Sequence, residues 1–183
     1  STPMRSSAAS DVYKRQYPFE TLLKLFDEVS TIKAIKDWCN DPMLHEKHIR
    51  VFQSLTNPVN VLTTHSAWLM SSLVMGANGL LSGAGSVIAP LQVRLFNAIK
   101  NNNLKEAKDI NDKIFPLVQL FYKPPFLDMH NRMKETLVIL NAIQRAVVRP
   151  PLMKLPFKEI EELKKTVNNI NLDNKLNFVK TVA

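Results

Sequence analysis

Cysteine is nearly missing from this chain: Cys39 is the only one among 183 residues. No internal disulfide can form, and a reducing, cytoplasmic setting is expected. Long apolar runs are missing too. The stretch from Ala67 to Val74 falls far short of the ~20 residues that cross a bilayer, so no membrane association is expected. Metal-ligand spacing is also lacking. His45 and His48 stand three apart in His45-Glu46-Lys47-His48, not at the four-residue step that presents two zinc ligands and a glutamate base in HExxH. Both are expected to be solvent-facing side chains, with no metal and no cofactor.

Positive charge is in excess, with 24 Lys and Arg against 16 Asp and Glu, but it is not gathered into a block. Lys164 and Lys165 are flanked by Glu159, Glu161 and Glu162, and Lys105 and Lys108 sit with Glu106 and Asp109, the mixed-sign pattern of solvated helix faces. The interleaving of aromatic and basic residues that grips single-stranded nucleic acid is missing, since Phe96, Phe115, Phe121, Tyr122 and Phe126 fall mostly on faces that read as core. Nucleic acid is therefore not an expected partner. A non-catalytic interaction module in the basic, helical C-terminal half stays open as an alternative.

What is present suits one globular domain: 45% of the residues are hydrophobic and 22% charged, enough apolar material for a core. Residues 1–16 stand apart, with no apolar periodicity and many small residues. Asp11-Val12-Tyr13-Lys14-Arg15-Gln16 can be encoded by GATGTGTATAAGAGACAG, which resembles the transposon end used to build sequencing libraries. The leader is expected to be translated adapter, with native sequence from near Tyr17 and a truncation upstream.

Apolar residues at three- and four-residue spacing predict a helix over Phe19 to Val29. A strand follows over Thr31 to Lys36, with Ile32, Ala34 and Lys36 on one face. A helix from Pro42 to Leu55 starts with proline in its first turn, where a lost donor costs little. Val59 to Thr64 reads as a strand, Ser66 to Met75 as a helix with a serine cap, and Gly79 to Ser82 as a short third strand. Strands alternating with helices imply parallel βαβ units. From Pro90 onward only helices are expected: Pro90 to Asn101, Leu104 to Tyr122, Phe126 to Asn141 and Pro156 to Ile170, with Asn141 as a left-handed helix end.

Three motifs resemble one family. Ile32-Lys33-Ala34-Ile35-Lys36-Asp37 resembles the sixth-strand motif of the dihydrodipicolinate synthase and N-acetylneuraminate lyase family, (β/α)8 barrels in which a lysine forms a Schiff base. Gly76-Ala77-Asn78-Gly79-Leu80-Leu81-Ser82-Gly83 resembles the eighth-strand motif, with Ala89-Pro90 following. Lys134, Leu137 and Arg149-Pro150-Pro151-Leu152 resemble the C-terminal helical segment.

The resemblance implies an α/β fold, a partial (β/α)8 TIM barrel of about three C-terminal βα units over residues 17–100, then a helical subdomain over 101–171 and a tail over 172–183. It implies a class I lyase, or an aldolase, acting on a 2-oxo acid such as pyruvate through Lys36. A hydro-lyase acting on a keto-deoxy sugar acid by the same imine is the alternative. Gly79 and Gly83 would let the backbone approach the oxo acid, Leu81 would wall the imine pocket, and a homo-oligomer is implied for the whole enzyme. Where many members carry a Gly-Asp step after the seventh strand, this chain has Thr63-Thr64-His65-Ser66; His65 is a candidate contact to a polar second substrate or a proton relay, or a capping neighbour without chemistry. Three of eight strands do not close a barrel, so the piece alone is expected to be inactive.

The chemistry sets one requirement. A free lysine has a pKa near ~10.4, and its amine must be neutral to attack a carbonyl, so an imine-forming lysine needs a site that disfavours the ammonium.

Overall fold

The computed structural model describes residues 17–64, 66–170 and 172; the predicted leader and nearly all of the predicted tail lie outside them. Two compact units are present. One takes in the residues up to Gly83 together with Ile99–Asn102, the other Ala84–Ala98 and the residues from Asn103 on. No helix among the described residues is long and apolar enough to cross a membrane.

The first unit holds the strands. Helix α1 (Phe19–Glu28) buries Leu22 and Phe26, the stripe that its spacing predicts. Strand β1 (Ala34–Asp37) follows. It starts later than the expected Thr31, because pairing to the next strand begins only at the carbonyl of Lys33, which accepts from the backbone and side-chain amides of Asn60.

Helix α2 (Pro42–Phe52) is opened by Asp41, whose carboxylate accepts from the amides of Met43 and Leu44 at 2.9 and 3.2 Å. Two donors that the helix start leaves orphaned are thereby satisfied. Strand β2 (Asn60–Thr63) leads to a 3-10 turn at Ser66–Trp68 and helix α3 (Leu69–Val74). Ser66 was expected to cap a helix beginning at its own position. Its hydroxyl instead hydrogen-bonds that of Ser82, and the α-helix starts three residues later. Strand β3 (Gly79–Leu80) is shorter than predicted.

All three strands are parallel in the order β1-β2-β3, as sequential strands joined by helices must be. Helices α2 and α3 pack on β2. Because side chains alternate along a strand, one face carries Ile35, Asp37, Val61 and Thr63, the last three buried, while the other carries Ala34, Lys36 and Asn60, all exposed. Among the described residues, the sheet is covered on one side only.

The second unit is helical. Helix α4 (Gly85–Lys100) starts earlier than the expected Pro90, running across a kink at Ile88 (φ −120°, ψ 28°). Pro90 cannot donate to the helix ladder and crowds the residues before it, which accounts for the break. A Cβ on Gly85 would stand 2.9 Å from Oε1 of the buried Gln92, so only glycine fits there without a shift.

Helix α5 (Leu104–Tyr122) has the predicted bounds, with Asn103 accepting from the amide of Glu106. Its buried residues Ala107, Ile110, Ile114, Leu117 and Phe121 keep a three- and four-residue step. Phe115 and Phe126, expected in the core, are exposed at 54% and 39%; Phe115 sits next to the buried Ile114, off that stripe. A 3-10 turn at Phe126–Asp128 precedes α6 (Met129–Ile139), and Asn141 ends it at φ +56°, as predicted. The last helix is α7 (Phe157–Asn169).

Arg132 of α6 is 0% exposed. Its guanidinium donates to Glu159 Oε1 at 2.5 Å and to the carbonyls of Phe121, Lys123 and Pro124 at 3.2, 2.6 and 3.3 Å. One side chain thus serves the carbonyls at and beyond the C-terminus of α5, where a cation is favoured.

Arg132→Met is expected to cost about 3–5 kcal/mol, because it leaves Glu159 and those carbonyls short of donors. Asp41→Ala is expected to cost about 0.5–2 kcal/mol through the lost cap. Urea denaturation monitored by circular dichroism measures both.

Candidate active site

Lys36 lies one residue from the C-terminal end of β1, with its side chain on the uncovered face of the sheet beside Ala34. The register places Lys36 opposite Leu62, and Leu62 opposite Gly79, so the three form one row across that face. The row is tight at its far end: a Cβ on Gly79 would stand 3.3 Å from Cδ2 of Leu62. Leu81 extends the ladder beyond β3, its amide donating to the carbonyl of Thr63 at 2.8 Å, and its side chain is 51% exposed. Gly83 follows Ser82, which is bonded to Ser66. His65 lies outside the described residues. A cleft of about 410 Å³ runs beside β1, lined among others by Tyr17, Phe26, Lys36, Asp37 and His48.

One residue further along, alternation turns Asp37 to the covered face, where it is buried. Its Oδ2 accepts from Nδ1 of both His45 and His48, at 2.7 and 2.8 Å, and its Oδ1 accepts from the amide of Cys39 at 2.9 Å. Both histidines were expected to face solvent. They are 1% and 4% exposed, because a carboxylate on the inner face of the strand needs donors and the three-residue step puts both rings on the side of α2 that meets it. His48 also stacks on Phe52, with ring centroids 4.8 Å apart.

Burial acts to raise the Asp37 pKa, but the hydrogen bonds from His45 and His48 and their charge attraction outweigh it and hold the carboxyl well below the ordinary range. Burial, together with the nearby Asp37 and Asp41, pushes the Cys39 thiol up to about 12.

His45 Nε2 meets Ser72 Oγ at 2.5 Å, so Ser72, His45 and Asp37 stand in the hydrogen-bond order of a hydrolase triad. Ser72 is 0% exposed. No substrate reaches it, and the chain of bonds is structural.

The sequence signal for this cluster was a charged residue on the buried side of an alternating strand, with two histidines on one helix face. Asp37, Cys39 and Ser72 were not singled out. Eight to 27 residues separate the bonded pairs, and no spacing rule spans such distances.

The profile of the Dihydrodipicolinate synthetase family matches residues 15–170. The 4-hydroxy-tetrahydrodipicolinate synthase of Methanococcus maripaludis is 24% identical over 153 residues, 84% of this chain and 50% of its own length. YagE of E. coli K12, a prophage protein of the dihydrodipicolinic acid synthase family solved with pyruvate, superposes with TM-score 0.75 at 21% identity over 84% of this chain and 51% of its own. N-acetylneuraminate lyase of Fusobacterium nucleatum, also with pyruvate, gives 0.73 at 20% over 86% and 50%. The chain spans about half the length of the curated relatives it matches.

Since the folded pKa of Asp37 is depressed, its stabilising contribution is complete above the unfolded value of about 3.9 and fades as pH falls below it. Asp37→Asn is expected to lower stability at neutral pH by about 1.5–3 kcal/mol and to flatten the decline below about pH 4. Urea titrations of both proteins across that range in EDTA-containing buffer measure the difference; parallel acid profiles would refute it.

Proposed function

This chain belongs to the dihydrodipicolinate synthetase family, and from that premise we propose that it carries the imine-forming strands of a (β/α)8 lyase acting on a 2-oxo acid such as pyruvate. The observation that carries the reading is the place of Lys36, at the C-terminal end of a parallel strand and on the face that helices leave open. Barrel active sites are built at that end of the strands.

The neutral amine of Lys36 adds to the C2 carbonyl, and uptake of one proton with loss of water leaves a protonated imine. Cleavage of the bond between C3 and C4 delivers its electron pair into the imine to give an enamine; protonation and hydrolysis then release the oxo acid and the free amine. Condensation runs the same steps in reverse. Gly79 lets the backbone approach the oxo acid at the far end of the row, since a side chain there would press on Leu62. Gly83 lets the backbone approach the oxo acid, Leu81 walls the pocket, and His65 is assigned to the second substrate. Dehydration of a keto-deoxy sugar acid passes through the same imine, so both chemistries share the Lys36 adduct.

Three strands do not close a cylinder, and the bare face here is the face that a closed barrel shelters. Desolvation inside such a barrel disfavours an ammonium. The activity therefore belongs to the intact enzyme, a homo-oligomer, and the 183-residue chain by itself is inactive.

Borohydride reduction of the intact enzyme with pyruvate, followed by peptide mass spectrometry, is expected to find the reduced adduct on Lys36 and none in Lys36→Ala. An adduct on another lysine, or no adduct at all, overturns the assignment.

A further inference from the structure

A carboxylate oxygen of Asp37, Sγ of Cys39 and Nδ1 of His48 all lie within 4.8 Å of one another. Asp37 and His48 are buried and Cys39 is half-buried. We propose that these three side chains bind a zinc ion, with His45 holding Asp37 from behind. This inference does not rest on the lyase reading.

The donor set selects the metal. One thiolate, one imidazole and one carboxylate suit zinc, whereas magnesium and calcium prefer oxygen alone. Zinc bonds of about 2.0–2.3 Å in tetrahedral geometry leave neighbouring donor atoms roughly 3.3–3.6 Å apart. Asp37 Oδ2 and His48 Nδ1, now at 2.8 Å, need to open slightly, and the thiol needs to close by little more than an ångström.

The balance of charge is favourable. A carboxylate and a thiolate supply the two negative charges, the thiol giving up its proton as the ion binds. The divalent ion then meets two negative charges in a buried place.

Support beyond the ligands is in place. His45 spans from Asp37 to Ser72, at 2.7 and 2.5 Å, and hydrogen-bonded ligating carboxylates of this kind tune metal affinity. The amide of Cys39 on Asp37 Oδ1 curls the Asp37-Trp38-Cys39 turn toward the carboxylate, and the thiol, which donates to the carbonyl of Asp41 at 3.3 Å, leaves that acceptor to bind the ion. Thr63, paired with Asp37 on the same face, has a buried hydroxyl with no partner among the described residues. The cleft beside β1 reaches both Asp37 and His48, giving an ion a way in.

The test uses the whole chain, stripped with chelator and titrated with Co²⁺. Expected are about one ion per chain and a thiolate-to-cobalt charge-transfer band in the near ultraviolet, bleached by added Zn²⁺. Cys39→Ser is expected to abolish the band, and His45→Gln to weaken binding roughly tenfold to a hundredfold. Zn²⁺ is expected to raise the melting temperature of the unsubstituted chain and not that of Cys39→Ser.

Absence of the band in the unsubstituted chain, or its survival in Cys39→Ser, overturns the proposal. Lys36→Ala is expected to bind cobalt unchanged, so failure of the imine chemistry leaves this result standing, and the converse holds.

Discussion

The two-residue period of a β-strand governs what this sheet can do. At the end of β1 it sends Lys36 to the open face and Asp37 to the covered one, and a slip of one residue would exchange them. Ordinary apolar packing fixes such a register weakly here, since Ile35 is the only large apolar side chain of the four-residue strand. The carboxylate of Asp37 does more. With two imidazoles and a backbone amide bonded to it, it cannot move to the open face without stranding three donors. The direction in which Lys36 projects is therefore set by its neighbour's partners and not by any contact of its own.

What the sequence disclosed follows from the range of each interaction. Helix α5 was legible to the residue because its apolar stripe recurs over 19 residues and Asn103 caps it locally. The parallel order of the strands was legible because it depends on the helices between them. The elements near Ser66 and Pro90 were less so: Ser66 spends its hydroxyl on Ser82, 16 residues away, and Pro90 is absorbed by a kink at Ile88 instead of starting a helix. The histidines are the sharpest case. Their helix face looked polar because the charged residue that makes it an interior face lies in the preceding strand, eight and 11 residues back.

The candidate site was legible in part for the same reason. Lys36 and the Gly79 region are read from short contiguous motifs, and the register brings them into one row. The polar cluster beneath is assembled from a strand end, a turn and two helices, and only folding brings it together. Burying a carboxylate costs desolvation, which at Asp37 the hydrogen bonds and charge attraction of His45 and His48 outweigh. A hydrophobic residue at position 37 would avoid that cost. It would also remove the feature that makes one register of β1 far better than the next.

The proposed ion has a bounded role. It would sit on the covered side of the sheet, while the amine of Lys36 stands on the other, with the backbone of β1 between them. An ion in that position cannot polarise a carbonyl that is bonded to Lys36, so Lewis-acid assistance to imine formation is not what it would supply. Its effect is mechanical. The metal-free network and the metal-bound one both hold Asp37 by the same atoms from the same helix, and they differ in how tightly the Asp37-Trp38-Cys39 turn is drawn toward α2. The strand end that carries Lys36 is anchored in either state, and a zinc ion would replace the proton between His48 and Asp37 with bonds that release more slowly, leaving the His45 bond in place.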